Sequence, residues 1–329
     1  MKVLYAIQGT GNGHLSRALE IVPILQKKVK LDVLVSGIQG DIVLPFPVKY
    51  KFRGLSFIFG KEGGVDLYKT IINIKSKKIY NEIKSLPIHE YDLVISDFEP
   101  VSAWACYFAK KECISLSHQA AVIHPNAPRP KQLDIFGSFI LNHYAPSTHQ
   151  IGFHFQNYSN HIFTPVIRKT IREAEVKVKK HYTVYLPSYD NDKLIKFLEQ
   201  FTSVQWHVFS KHTRKKIMYK NIEIEPVNAM AFVHSLCNSK GVLCGAGFET
   251  PAEALYLNKK LLVVPMKNQY EQHCNAAALE LMGVPVIKSI KNKHIDIVDN
   301  WLNSPQNIEV DYPDQTALII DKALSMITL

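Results

Sequence analysis

Two glycine-rich turns, each opening a helix, carry the residues whose types and spacing could do chemistry in this chain. The stronger is Gly241-Val-Leu-Cys-Gly-Ala-Gly-Phe-Glu-Thr-Pro-Ala-Glu253, an apolar strand that runs through Gly245, Ala246, Gly247 and Phe248 into a helix. Glycine lets backbone approach a ligand closely and permits positive φ. The following helix offers unpaired N–H groups and the positive end of its dipole to a phosphate. Glu249 falls in the first turn, where a carboxylate also complements the dipole. Glu253 comes about a turn and a half in. An ionised carboxylate only accepts hydrogen bonds, so it suits a vicinal diol such as ribose O2′ and O3′. Together these features predict a site for a nucleoside diphosphate. The second turn, Gly9-Thr-Gly-Asn-Gly-His14, follows the apolar run Lys2–Gln8. It puts Gly11, Asn12 and Gly13 in a phosphate- or acceptor-facing loop that ends on an imidazole.

Alternating strands and helices must position these turns. Lys2–Gln8 leads into a helix with Leu15, Leu19, Val22 and Leu25 at helical spacing. Leu31–Val35, Asp92–Ser96 and Cys113–Ser117 read as further strands, with a helix near Val101–Lys111. A charged connection opening on Thr164-Pro-Val-Ile-Arg separates this series from a second one. The second has strands at Tyr182–Leu186, Gln205–Phe209, Ile222–Ile224, Val242–Cys244, Lys260–Val264 and Val284–Ile287. Its helices fall at Asn191–Phe201, Asn228–Cys237, Glu249–Tyr256 and Tyr270–Met282. The pattern predicts an α/β protein of two Rossmann-like domains, residues 1–165 and 166–329, with a cleft between them. The last helix, about Gln315–Ile327, is free to pack on either. Ligands of such sheets bind at the carboxyl ends of the strands. Gly9–His14, Asp97–Glu99 and His118–Gln119 all follow predicted strands directly.

Composition narrows the function classes. The chain has 329 residues, 47% apolar and 21% charged, which is ordinary for a soluble globular enzyme. No run approaches the ~18 consecutive apolar residues of a membrane span. The N-terminus enters a strand directly, which is not the pattern of a signal peptide. Cys106, Cys113, Cys237, Cys244 and Cys274 are odd in number and form no CxxC pair, so reduced thiols in a cytoplasmic protein are expected. Net charge is +10, with +6 on residues 1–165 and +4 on the rest. This favours anionic partners. There is no basic–aromatic RNA-binding motif and no zinc-finger spacing, so nucleic acid is not expected.

The C-terminal half resembles the donor-binding domain of GT-B glycosyltransferases. In pattern it is similar to the bacterial GlcNAc transferase that forms lipid II and to the UDP-sugar glycosyltransferases of plants and animals. The residues that carry the resemblance are Pro226-Val-Asn-Ala-Met-Ala-Phe-Val-His-Ser-Leu-Cys237, Gly245-Ala-Gly-Phe-Glu-Thr-Pro-Ala-Glu253-Ala and Pro265-Met-Lys-Asn-Gln-Tyr-Glu271-Gln272-His-Cys-Asn275-Ala. The Gly9–His14 turn resembles the glycine loop and histidine of the same fold. The resemblance implies that Glu253 holds the ribose, that Glu271 and Gln272 contact sugar hydroxyls, and that Val227–Met230 flank the base. Ser188 stands where many relatives have a Gly-Ser-Gly turn near the diphosphate, here Leu186-Pro-Ser-Tyr-Asp. The implied reaction is glycosyl transfer from a nucleotide-diphosphate sugar, with UDP the favoured nucleotide, and with inversion.

For that reaction an acceptor hydroxyl must lose a proton while charge builds on the departing diphosphate. His14, at a helix start where the dipole disfavours imidazolium, is the candidate base. Asp97 would orient it, as the third group of a triad does, or would cap the helix that follows. Glu99 is the rival base. Backbone N–H groups at 246–249 would stabilise the leaving group without a metal, and no cofactor is expected. His118 and Gln119 are expected to line the acceptor cleft or to serve the fold.

Asp190-Asn-Asp192 has the spelling of a metal grip, but it opens a helix, where aspartate is an ordinary cap. The acceptor is open. Gly63–Leu86 has Leu67, Ile71, Ile74, Ile83 and Leu86 near one side with five lysines interspersed. Such a helix suits an anionic membrane face and a lipid-linked acceptor, or simply a solvated surface. A UDP-sugar 2-epimerase and a non-catalytic nucleotide-sugar binder remain alternatives. A NAD-dependent Rossmann enzyme is weaker, because Val33-Leu-Val-Ser-Gly37 lacks the acidic residue expected after the second strand.

Overall fold

The structure is a computed structural model that describes residues 1–37, 42–55, 76–132, 134–305 and 308–326. Among these, two sheets form. The first contains β1 (Lys2–Gln8), β2 (Lys30–Ser36), β3 (Tyr50–Phe52), β4 (Leu93–Asp97), β5 (Cys113–Ser117), β6 (His149–Phe153) and β7 (Ile162–Phe163). Their order is β3-β2-β1-β4-β5-β6-β7, and every neighbour pair is parallel. Val3 to Ile7 are buried without exception, as expected of a strand covered on both faces. The helices of this half are α1 (Asn12–Lys28), α2 (Ser76–Ser85), α3 (Pro100–Ala109), α4 (His118–Val122) and α5 (Ile135–His143). The expected stripe on α1 is buried at Leu15, Val22 and Leu25, joined by Ala18 and Ile21. Each large side chain so buried contributes about 1.5–3 kcal/mol. Leu19 turns instead toward the cleft.

A short turn of helix, α6 (Lys169–Arg172), precedes the second series. That series is β8 (His181–Tyr185), α7 (Asn191–Leu198), β9 (Gln205–Ser210), β10 (Ile217–Tyr219), β11 (Ile222–Pro226), α8 (Ala229–Asn238) and β12 (Gly241–Gly245), then α9 (Glu249–Tyr256), β13 (Lys260–Val264), α10 (Tyr270–Leu281), α11 (Ile295–Asn303) and α12 (Thr316–Ser325). The sheet order is β10-β11-β9-β8-β12-β13, and only β10 runs antiparallel to its neighbour. The expected strand at Val284–Ile287 is reduced to a single bridge between Val286 and Val263. Of the basic stretch at 63–86, α2 lies within the described residues and residues 63–75 lie outside them.

The order of the parallel strands in each sheet reverses at one place. In the first it is between β1 and β4, where the Gly9 turn and Asp97 lie. In the second it is between β8 and β12, where the Gly245–Phe248 turn lies. A reversal of strand order opens a crevice at the carboxyl edge, and the two crevices face each other across a cleft. The last helix leaves the second series and packs on α1. Lys28 pairs with Asp321 at 2.7 Å, and Tyr312, just before α12, donates its hydroxyl to the Phe155 carbonyl.

Candidate functional site

The cleft encloses about 680 Å³ and is lined from both halves. Such a volume is usual for a ligand of nucleotide-sugar size. On the first half, β1 delivers the chain into the Gly9 turn, and α1 then presents His14 and Arg17 one turn apart. Gly37 holds this turn in place from β2. It has φ 122°, and a Cβ there would lie 2.7 Å from the Thr10 nitrogen. Asn12 and Gly13 line the cleft, while Gly11, at φ 96°, shapes the turn behind them.

His14 Nδ1 lies 2.8 Å from Asp97 Oδ1. Asp97 ends β4 and is fully buried. Arg17 grips it twice, Nε to Oδ2 at 3.1 Å and Nη2 to Oδ1 at 2.8 Å. Burial alone would raise the Asp97 carboxyl, but the charges of Arg17 and His14 overcome it and hold it below the usual range. Arg17 Nη2 also lies 3.1 Å from His14 Nδ1, so Asp97 and Arg17 both meet that nitrogen, and the ring nitrogen they leave is Nε2. The Gln119 amide nitrogen faces that atom at 3.4 Å. This is the base-and-orienter arrangement of a triad.

Glu99 has a different task. Its side chain accepts from Val101 N and Ser102 N, both at 2.7 Å, and from the Ser36 hydroxyl at 2.5 Å. It is completely buried and caps α3. Burial pushes its carboxyl upward against these bonds. With both oxygens engaged away from the cleft, Glu99 cannot meet an acceptor proton, which corrects its reading as a rival base. The capping role considered for Asp97 belongs to Glu99, because Phe98 between them takes φ 54° and turns the chain.

On the second half, α9 begins at Glu249 with no side chain capping its first N–H groups. Those donors open onto the cleft beside Gly247 and Thr250. Gly245 and Gly247 have no positive φ, contrary to the expectation from sequence. Gly247 is useful for its openness, since an added Cβ would meet nothing within 4 Å. Ala246 is buried beneath the turn, its carbonyl held by Asn275 Nδ2 at 3.1 Å. Glu249 leans across the cleft to Arg17, which donates Nη1 at 2.5 Å. Burial drives the Glu249 carboxyl up to about 7, against the pull of Arg17.

Glu253 is buried and held side-on by Arg168, Nε to Oε1 at 2.5 Å and Nη2 to Oε2 at 2.7 Å. Arg168 lies in the charged connection and also lines the cleft. Neither Arg168 nor Arg17 stood out in the sequence. Both could have been sought by asking which cation pairs with an acid placed in an apolar stretch. Glu271 accepts from Gln119 Nε2 at 3.0 Å, and Gln272 accepts from Met266 N at 2.9 Å. His118 bonds the Phe153 carbonyl and Asn275 Oδ1, each at 2.7 Å, and its ring lies flat on Phe248 at 3.9 Å. Both ring nitrogens are engaged, so His118 joins the two halves at the cleft floor.

Four expected donor residues stand apart, the buried Ala246 among them. Ser188 does not line the cleft, and Tyr185 from the end of β8 takes that place. Met230 is 84% exposed and points to solvent, because α8 turns its other face inward; Val227, Ala229 and Phe232 line the wall instead. Gly245 sits behind the turn rather than at the surface of the cleft. Asp190 caps α7 through Lys193 N at 2.9 Å. Among the described residues, the grouping of metal-ligand type is His207 with Glu223 and Glu225, on β9 and β11 and outside the cleft lining.

A family profile described as glycosyl transferase family 1 matches residues 1–304. The chain belongs to that family. This glycosyltransferase also shares its fold with solved enzymes of low identity. It is similar to MurG of Acinetobacter baumannii, with TM-score 0.58 and 13% identity, covering 99% of each chain. It is similar to UGT89C1 of Arabidopsis thaliana complexed with UDP-L-rhamnose, with TM-score 0.61 and 13% identity, covering 98% of this chain and 93% of that one. Phytolacca americana UGT2, complexed with UDP-2fluoro-glucose and pterostilbene, matches with TM-score 0.57 and 11% identity over 98% and 93%. No curated protein matches the glycosyltransferase in sequence. The two facing sheets are therefore the two domains of a GT-B fold.

Proposed function

We propose that this glycosyltransferase moves a sugar from a UDP-sugar to an acceptor hydroxyl, with inversion and without a metal. The observation that carries the reading is the His14–Asp97 pair, which faces the uncapped start of α9 across the cleft. In this reading His14 Nε2 takes the proton of the acceptor hydroxyl as its oxygen attacks the anomeric carbon. The bond from that carbon to the diphosphate oxygen breaks, and the negative charge passes to the leaving group. The α9 N–H groups receive that charge, aided by the guanidinium groups of Arg17 and Arg168. Two fixed cations and a helix terminus supply what a divalent ion would otherwise supply. Glu253 accepts from the ribose hydroxyls while Arg168 fixes its orientation. Glu271 and Gln272 lie where sugar hydroxyls would be met.

The choice of UDP rests on solved relatives that are described as holding UDP or a UDP-sugar. We place the reaction in the cytoplasm, with an acceptor that is lipid-linked or otherwise presented at an anionic membrane face. The lysines of α2 support this, and no helix among the described residues is long and apolar enough to cross a membrane. Calorimetric titration with UDP, in EDTA and then in Mg²⁺, tests the donor assignment. Binding that is independent of metal and lost in Glu253→Ala is the expected result. Binding that requires Mg²⁺, or that survives Glu253→Ala unchanged, refutes it.

A further inference from the structure

A parallel sheet flanked by helices is ordinarily apolar on both faces, yet one face of the second sheet carries a polar seam. Strand β11 alternates as Ile222-Glu223-Ile224-Glu225, so its isoleucines face one side and its glutamates the other. Ile222 and Ile224 join a buried core with Trp206 and Val208 of β9 and with Tyr182 and Val184 of β8. The opposite face carries His181, Thr183, His207, Glu223 and Glu225. Its inner part is satisfied from α8, where Ser235 Oγ meets Thr183 Oγ1 at 2.7 Å and His181 Nε2 at 3.1 Å. Its outer part is His207, Glu223 and Glu225.

These three side chains converge. His207 Nε2 lies 2.9 Å from Glu225 Oε1 and 3.7 Å from Glu223 Oε1, and one ligand atom from each lies within 4.8 Å of the others. Two ligands bound about 2.1 Å from a tetrahedral ion stand roughly 3.4 Å apart, so small rotations of the carboxylates would seat one. The placement is rigid. Strands β9 and β11 are parallel neighbours in which His207 stands opposite Glu223, and Glu225 follows two residues on along the same face. Lys216 Nζ already pairs with Glu223 Oε1, so the carboxylates hold a cation here. That ammonium ends a side chain 57% exposed, which a divalent ion can displace. His207 and Glu225 are each 20% exposed, which leaves an entry path and an open position for water.

We propose that His207, Glu223 and Glu225 form a site for a divalent first-row transition ion, with Zn²⁺ as its probe. Two carboxylates and a neutral imidazole balance the charge of the ion. The imidazole selects against Mg²⁺ and Ca²⁺, which take oxygen ligands. Phe209, whose ring lies 4.6 Å from that of His207, and His181, set edge-on at 5.8 Å, steady the imidazole. The site lies outside the cleft lining and takes no part in the proposed transfer. An ion there ties β9 to β11 just before Pro226 carries the chain to Val227, which does line the cleft. Its role is to brace that wall.

The test is calorimetric titration of the untagged full chain, stripped with EDTA and dialysed, with ZnCl₂ and separately with MgCl₂. No nucleotide is present, so the outcome does not depend on the donor assignment. A single saturable Zn²⁺ equivalent is expected, with a melting temperature that climbs as Zn²⁺ is added. His207→Ala and Glu225→Gln should each weaken Zn²⁺ by at least about tenfold, the loss expected even for a residue that only supports a ligand. Lys216→Ala should tighten it by up to about fivefold, because the competing ammonium is gone. Glu225→Gln is nearly isosteric and serves if His207→Ala does not fold. Zn²⁺ affinity that is unchanged in the ligand variants would place the ion on other histidines and overturn the proposal. So would the absence of Zn²⁺ binding, or Mg²⁺ bound more tightly than Zn²⁺.

Discussion

Replacing Glu249 with glutamine should make the protein more stable, and by an amount that depends on pH. The folded carboxyl is driven to about 7 from its ordinary 4.5, first by burial and then by the charges of Glu253 and Asp97, with Arg17 opposing. That difference corresponds to roughly 3 kcal/mol at about 1.4 kcal/mol per unit. Because 18% of the side chain meets solvent, about 2 kcal/mol is the working figure. The sign follows from proton binding. Between 4.5 and 7 the native state holds the proton more tightly than the unfolded state, so stability falls as pH rises through this window. Above about 7 the full cost is present. Glutamine keeps the acceptor for Arg17 Nη1 and removes the charge, and Arg17 still neutralises Asp97. Thermal unfolding of both proteins from pH 5 to 9 measures the gap. At pH 8.5 Glu249→Gln should melt ~5 °C higher, at a few degrees per kcal/mol. By pH 5 the gap should shrink to less than about 1 kcal/mol. A gap that does not change with pH, or a variant less stable at pH 8.5, would show that attraction to Arg17 outweighs desolvation and would refute the argument.

His14→Ala should lower turnover by about 10²–10⁴ while UDP affinity, read by calorimetry, stays within about threefold. Glu99→Gln should cost about 0.5–2 kcal/mol through the lost cap; turnover per folded molecule should change little, and a collapse of turnover with normal folding would restore Glu99 as a base. Glu253→Gln leaves Arg168 without its charged partner and should cost about 3–5 kcal/mol in denaturant unfolding, a loss that Glu253→Asp should partly avoid. Gly152→Ala forces a Cβ to within 2.7 Å of the Ala121 nitrogen, where β6 passes α4. It should destabilise by about 1–3 kcal/mol, and an unchanged melting temperature would show that the strand can shift.

Much of the fold was legible because buried parallel strands read as unbroken apolar runs, as Val3–Ile7 and Val242–Cys244 do. Strands that are short or mixed in character were not visible: His149–Phe153 carries two polar residues and a glycine, and Ile162–Phe163 is only a pair. Val284–Ile287 looked like a strand yet makes one bridge, between Val286 and Val263. In the site, residues that follow strands were found by position alone, which is how Gly9–His14, Asp97 and Gly247–Glu253 emerged. Which of Asp97 and Glu99 faces the cleft was beyond sequence, since it depends on the backbone turn at Phe98. Arg17 and Arg168 were missed for a different reason. Their partners lie 80, 232 and 85 positions away, and no local pattern records such a pairing.

The seat of α12 on α1 has a consequence for how the molecule is made. Residues 12–28 leave the ribosome about 300 positions ahead of residues 316–325, the helix that covers them. Domains form in order during translation, the earlier one first, yet this earlier domain waits for residues 316–325 before one of its faces is covered. Until then that face of α1 is bare, and a stop before residue 316 would leave it so in every copy.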